Sequence, residues 1–81
     1  MKVFKLVYDT EKDGIKVKGN PNPHAVYSDG KKEMIIIQKE DDHWTAYLVD
    51  DDMGIAFWWE RGKTKESVKR RLRKRGYILK G

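Results

Sequence analysis

Residues 64–76, TKESVKRRLRKRG, decide the fold of the carboxyl-terminal part of this chain because they carry a full set of helix signals. Thr64 is a good N-cap residue, and Gly76 suits the left-handed position that follows the end of a helix. Between them only Val68 and Leu72 are apolar, four residues apart on one narrow stripe. The stretch therefore predicts a helix that packs through a thin seam and keeps most of its circumference in water.

The rest of this predicted helix is basic. Its cationic residues are Lys65, Lys69, Arg70, Arg71, Arg73, Lys74 and Arg75. Like charges four residues apart on a helix repel each other by a few tenths of a kcal/mol per pair, so this arrangement needs a source of compensating negative charge. A polyanion outside the molecule is one source, and carboxylates elsewhere in the same domain are another.

The charge of the whole chain is concentrated at this end. Residues 1–60 hold 8 lysines against 12 aspartates and glutamates, whereas residues 61–81 hold 10 basic residues against Glu66 alone, and all five arginines lie in this second part. The net charge of +5 is therefore a local property of the carboxyl-terminal quarter. A field of this kind acts over a Debye length of about 8 to 10 Å, and nucleic acid is the commonest polyanion that a soluble protein meets.

Upstream of the helix, alternating apolar and polar residues predict strands. Residues 3–8 alternate with their aromatic face toward the core, and residues 15–18 alternate again after an Asp-Gly turn, which predicts an amino-terminal hairpin. Residues 19–23, with two prolines, predict a loop. Residues 77–79 are apolar and are expected to return the chain to the core.

The middle of the chain predicts a three-stranded antiparallel meander. Residues 25–27 suit a short edge strand, and the apolar run in residues 33–38 suits a central one. Residues 44–49 and 55–60 alternate on either side of the acidic 50–54 turn. We expect one α+β domain over residues 1–81, with an antiparallel sheet made of the hairpin and the meander and a single carboxyl-terminal basic helix packed on it.

Composition narrows the functional class. The chain has 38% hydrophobic and 38% charged residues in short organised runs, which indicates a folded domain. Cysteine is absent, and no apolar run approaches the roughly 20 residues of a membrane span, so a soluble cytoplasmic protein without membrane association is expected. His24 and His43 lie in or beside loops with no metal-ligand spacing and are expected at the surface, and the acidic turn lacks the pattern of a calcium loop. We therefore predict no catalytic residues, no metal and no cofactor.

The predicted function is non-catalytic binding of nucleic acid, DNA or RNA, with the basic helix against the phosphate backbone. Arg61 and Lys63 at the helix entry would support the seven helix cations. Trp58 and Trp59 point to opposite faces of a regular strand, so at least one is expected outside the face that the helix covers, where it would stack on unpaired bases. Cross-strand packing, a two-sided core and a homodimer interface are the other interpretations of these tryptophans.

The alternative function is a small inhibitor or adaptor that engages an acidic protein surface, of the kind carried by phages and mobile elements. Arginine favours either partner, because its planar fork binds phosphate and carboxylate alike. A third interpretation is intramolecular, in which the basic helix pairs with acidic residues of its own domain or is only solvated. The acidic residues that would be near the helix in that case are Asp41, Asp42, Asp50, Asp51, Asp52 and Glu60.

Residues 44–76 also resemble HicB-like antitoxin domains, which have a small ribonuclease-H-like β-β-β-α fold. The resemblance is carried by Ala46, Tyr47, Asp50, Gly54, Gly62, Thr64 and Glu66. It implies three strands leading into a helix and an antitoxin-like role in neutralising a partner protein. The same topology is similar to the arm-binding domains of tyrosine integrases, which place a three-stranded sheet against DNA.

Overall fold

The structure is a computed structural model that describes residues 2–50 and 55–81, with the backbone alone for residues 55–59. Its elements in chain order are β1 (Lys2–Asp9), α1 (Thr10–Asp13), β2 (His24–Ser28), β3 (Glu33–Glu40), β4 (His43–Asp50), β5 (Ile55–Gly62), α2 (Lys65–Lys74) and β6 (Tyr77–Lys80). The strands form one six-stranded sheet in the order β5-β4-β3-β2-β1-β6. The α+β class is confirmed.

The meander is confirmed and is longer than expected. Strands β3, β4 and β5 pair antiparallel in sequence order, and β2 joins them as a fourth antiparallel strand. β3 is internal, as its apolar run predicts, and Ile35 and Ile37 are fully buried. The prediction that residues 25–27 form an edge strand is wrong, because β2 lies between β1 and β3 and Ala25 and Tyr27 have no exposed surface.

The predicted amino-terminal hairpin is wrong. Asp9 ends β1 and caps α1, accepting hydrogen bonds from the backbone amides of Glu11 and Lys12. Residues 15–18 then form no strand, and a single bridge joins Val17 to Asn20. Both edges of β1 are occupied instead, by β2 and by β6, whose apolar side chains offer more buried surface than the lysine-flanked residues 15–18.

The sheet is therefore mixed, and the expectation of a purely antiparallel sheet is also wrong. β1 pairs antiparallel with β2 and parallel with β6, in a register that sets Phe4 beside Leu79. The parallel pair arises because α2 carries the chain from β5, at one edge of the sheet, back to the opposite edge. Residues 77–79 return to the core as predicted, but as the edge strand β6.

Helix α2 begins and ends where the sequence indicates. Thr64 is the N-cap, and its side chain and that of Ser67 exchange hydrogen bonds with each other's backbone amides, which makes a capping box. Arg75 is the C-cap, and Gly76 follows it with φ +92°, a conformation that favours glycine. The carbonyl of Arg73 accepts the Gly76 amide at 3.0 Å, as in a Schellman motif.

The core lies between α2 and the face of the sheet that it covers. Its buried apolar residues are Phe4, Ala25, Tyr27, Ile35, Ile37, Trp44, Ala46, Val68 and Leu72. Gly62 lets the helix start approach the sheet, since a Cβ there would collide with the Ser67 hydroxyl and lie 3.2 Å from the Val68 amide nitrogen. Neither described helix has the length and apolar character needed to span a bilayer.

Candidate nucleic-acid interface

The seam of α2 fixes where each of its cations lies. Val68 and Leu72 are fully buried against the sheet. At about 100° per residue, Lys65 and Lys69 fall on one side of this seam, and Arg71 and Arg75 fall on the other side. The remaining three cations fall on the side of the helix away from the sheet, so the basic residues divide into two flanks and an outer face.

The first flank is paired with the amino-terminal part of the sheet. Lys65 Nζ donates to Asp9 Oδ2 at 2.7 Å and to Glu11 Oε1 at 3.3 Å, and it lies 5.3 Å from the centroid of the Trp44 ring. Lys69 Nζ lies 5.5 Å from the centroid of the Tyr27 ring and 3.9 Å from Glu66 Oε1. These ammonium groups therefore cover the aromatic part of the core.

The Lys65–Asp9 pair is held in its charged form. Burial alone would raise the pKa of Asp9, but the hydrogen bond from Lys65 and the backbone amides of Lys12 and Glu11 outweigh it, so the pKa lies below its ordinary value. Burial likewise opposes the charge of Lys65, and its bonds to Asp9 and Glu11 raise its pKa nonetheless. This pair joins α2 to the end of β1.

The second flank is paired with β5. Glu60 accepts from Arg75 Nε at 2.8 Å, and Arg71 Nη1 lies 3.9 Å from the same carboxylate. Glu60 is positioned for this by the pairing of β5 with β4, which places it opposite the core residue Ala46 on the face that the helix covers. The flanks of the helix are therefore paired within the domain, but among the described acidic residues that were expected near the helix only Glu60 is seen to pair with it, and Asp9 and Glu11 were not expected there.

The outer face consists of Arg70, Arg73 and Lys74, and we call these three residues the crest. They stand at positions i, i+3 and i+4, so they share one side of the helix, and all three are exposed. Within the part of the chain that the structure describes, none of them has a carboxylate in ion-pair or hydrogen-bond contact. Glu66, whose side chain is 76% exposed, is the acidic residue of the helix and lies toward the same side, one turn nearer the amino terminus.

The two cations of the helix entry do not join the crest. Arg61 pairs with Thr45, between residues that face the helix, so strand alternation places it on the opposite face of the sheet. Its charge contributes, after the hydrogen bond from His43, to a pKa of Asp42 below the ordinary value. Lys63 is exposed in the connection to α2. The predicted site thus divides into a crest of three cations, four paired flank cations and two separate ones.

The tryptophan prediction lies outside the described residues, because the side chains of Trp58 and Trp59 are not described. The backbone of β5 shows an irregularity there: Trp58 pairs with Tyr47 and Glu60 with Ala46, which leaves Trp59 as an extra residue. Such a register shift is a β-bulge in the backbone of β5. Residues 51–54 of the acidic turn, two of which were expected near the helix, also lie outside the described residues.

A buried polar cluster beside the first flank escaped the sequence analysis. His24 is 2% exposed, not a surface residue as expected. Its Nδ1 lies 2.7 Å from the Asn22 carbonyl, which can only accept, so Nδ1 carries a proton, and in the neutral ring Nε2 accepts from the Tyr8 hydroxyl at 2.9 Å. Its backbone amide donates to Thr10 Oγ1. The sequence before His24, Pro21-Asn22-Pro23, is typical of an exposed loop and gives no sign that the histidine is buried.

Two other features that would indicate a function are a metal site and similarity to a known protein. Across residues 2–50 and 55–81, no three histidine, aspartate or glutamate side chains are grouped so as to hold a metal ion. No protein-family model, curated protein or solved structure matches the chain. The resemblance to HicB-like antitoxin domains accordingly remains an expectation from the sequence.

Proposed function

We propose that this chain is a non-catalytic nucleic-acid-binding protein that contacts the phosphate backbone through the crest of α2. One observation supports the proposal above the others: the helix cations beside the sheet have carboxylate partners, whereas Arg70, Arg73 and Lys74 have none in the described structure. Cations that only stabilised the fold would be expected beside the carboxylates of the sheet. Cations that serve an external anion are expected where these three lie.

The crest also fits the electrostatics of phosphate binding. Each phosphate that a cation neutralises releases counterions, so binding through Arg70, Arg73 and Lys74 needs no base-specific contact. Arginine adds bidentate hydrogen bonds to phosphate oxygens. Arg73 and Lys74 lie in the last turn, where their interaction with the helix dipole offsets part of the like-charge repulsion along α2.

The test is a titration of a fluorescein-labelled 20-base-pair DNA duplex by fluorescence anisotropy at two salt concentrations. The triple variant Arg70→Gln, Arg73→Gln, Lys74→Gln should raise the Kd at least about tenfold, since one charge-assisted hydrogen bond is worth about 1.5 to 3 kcal/mol. The matched control replaces Lys12, Lys16 and Lys18, three exposed lysines far from the helix in sequence, with glutamine. Equal weakening in both variants would show that net charge alone matters and would contradict the proposal.

The alternative, an acidic protein partner, is separated by a second probe in the same assay. Poly-glutamate presents carboxylates without phosphate, and arginine binds both groups with the same planar fork. On the proposal, poly-glutamate displaces the duplex only at much higher charge concentration than unlabelled DNA does. Displacement at equal charge concentration would favour an acidic protein surface as the partner.

A further inference from the structure

The shape around the crest distinguishes between kinds of nucleic acid. In the described structure α2 is the one helix that covers its face of the sheet, while the four residues of α1 pack on β1 and β2 and touch α2 through the Glu11–Lys65 ion pair. The crest is the outermost line of α2, and the shallow depressions on its two sides each contain a carboxylate, Glu60 in one and Glu66 in the other, so neither is a purely basic groove. Proteins that bind single strands carry the backbone in a positively charged groove, whereas a convex helix fits into the groove of a duplex.

The two aromatic rings under the first flank, Trp44 and Tyr27, are not available for stacking on bases. Trp44 is 9% exposed and lies beneath the Lys65 ammonium, and Tyr27 has no exposed surface and lies beneath Lys69. Stacking on exposed rings supplies about 1 to 3 kcal/mol per base in single-strand binding. Tyr77 is the described ring beside Arg70 and Arg73; it is half-buried and packs on Phe4 with 6.0 Å between the ring centroids, so it is not a fully open stacking surface.

The width of α2 selects among duplexes. An α-helix with its side chains is about 10 to 12 Å across, and the major groove of B-form DNA is about 12 Å wide. The major groove of an A-form RNA duplex is deep and too narrow for protein side chains to read. A single helix with cations along its outer line can enter the major groove of B-form DNA and reach the phosphates on its edges. It cannot enter the major groove of an A-form RNA duplex.

We infer that the preferred ligand is B-form duplex DNA, with the crest of α2 lying in the major groove, an inference that rests on the proposed function. The groove would receive Arg70, Arg73 and Lys74, while the flank cations stay bound to Asp9, Glu11 and Glu60. Contact is made chiefly with phosphates, so the preference is for the form of the duplex and not for a base sequence.

The experiment compares four unlabelled competitors against the labelled DNA duplex. They are the 20-base-pair DNA duplex, the RNA duplex of the same sequence, one single strand of the DNA and one single strand of the RNA. For three phosphate contacts, the difference in counterion release alone favours duplex over single-stranded DNA by about fourfold at roughly 0.1 M salt. RNA duplex carries at least as much charge, so weaker competition by RNA duplex than by DNA duplex can only come from shape.

The outcomes separate this inference from the function on which it depends. We expect the DNA duplex to compete best, the RNA duplex less well and either single strand least. In the crest triple variant, the preference for DNA duplex over RNA duplex should be lost. RNA duplex competing as well as DNA duplex, or single strands competing better than both, overturns the inference and leaves nucleic-acid binding in place. No competition by any of the four overturns both.

Discussion

At the residue scale, Asp9 shows how one side chain can change the course of the chain. Sequence alternation suggests that the strand in residues 3–8 turns back as a hairpin, but the Asp9 carboxylate caps α1 and binds Lys65 of α2 instead. An aspartate at the end of a strand can start a turn or cap a helix with the same local sequence, and here Asp9 also binds a partner 56 residues away. That partner is invisible to any local pattern.

Replacing Asp9 with asparagine tests this joint. We expect Asp9→Asn to lower the free energy of unfolding at pH 7 by about 1 to 3 kcal/mol, because the partly buried Lys65 ammonium loses the nearer of its two carboxylate partners. Urea unfolding followed by tryptophan fluorescence would measure the change. Asp41→Asn, at an exposed turn, is the matched control and should leave the stability nearly unchanged.

The same pair predicts how stability depends on pH. The pKa of Asp9 is lowered in the folded protein, so its contribution is present above the ordinary aspartate range and is lost as the pH falls through the folded value. The pKa of Lys65 is raised, so its contribution is present below the ordinary lysine range and is lost as the pH rises through the folded value. Unfolding in urea from pH 7 down to pH 2 should therefore show a smaller loss in Asp9→Asn than in the unaltered protein. An equal loss would mean that the pair adds nothing.

At the element scale, α2 was the most predictable part of the molecule. Its N-cap, its glycine after the last turn and its two buried residues are all local signals, and the structure confirms each of them. The division of its cations into flanks and crest also follows from the position of Val68 and Leu72. The partners of the flanks do not, because Glu60 and Asp9 reach the helix only through the strand register and the sheet order.

The strands were predicted less well for a physical reason. Alternation shows that a segment can be a strand, but it does not choose the neighbour, and β1 could pair with residues 15–18, with β2 or with β6. The choice depends on buried area summed over the whole sheet. A mixed sheet that joins the two ends of the chain therefore lies beyond what the local pattern can specify.

Replacing a valine by alanine in the buried seam of α2, and separately at the surface, tests whether the helix packs on the sheet. We expect Val68→Ala to lower the free energy of unfolding by about 2 to 3 kcal/mol, because two methyl groups leave the core and a cavity remains. Val7→Ala makes the same chemical change at a site that is 58% exposed, and its effect should stay within about 0.5 kcal/mol. Thermal or urea unfolding measures both, and equal effects would contradict the packing of α2 on the sheet.

A substitution in the second flank should strengthen DNA binding, whereas the crest triple variant should weaken it. Glu60→Gln releases Arg71 and Arg75, whose side chains are 59% and 54% exposed, and removes a negative charge near the crest. We expect tighter binding of duplex DNA and a loss of stability below about 1 kcal/mol, as for exposed ion pairs. The anisotropy titration and urea unfolding measure the two effects. Weaker binding in Glu60→Gln would mean that Glu60 positions arginines that contact the ligand.

At the scale of the whole molecule, the separation of charge predicts a salt dependence. Three phosphate contacts by the crest give a slope of log K against log salt of about −2.7 for duplex DNA. The Kd measured from 50 to 200 mM salt supplies this slope. A slope near −6 would indicate that the flank cations leave their carboxylates on binding, and a slope near zero would rule out phosphate contacts.

The parallel pairing of β1 with β6 has a mechanical consequence. Lys2 and Tyr77 lie side by side at the start of these neighbouring strands, so a force that pulls the chain apart at Lys2 and Lys80 acts along the strands in opposite directions. All the hydrogen bonds between the two strands are then strained together, in shear, and cannot open one after another from an end. Stretched between these two points, the domain should resist extension through its own first and last strands.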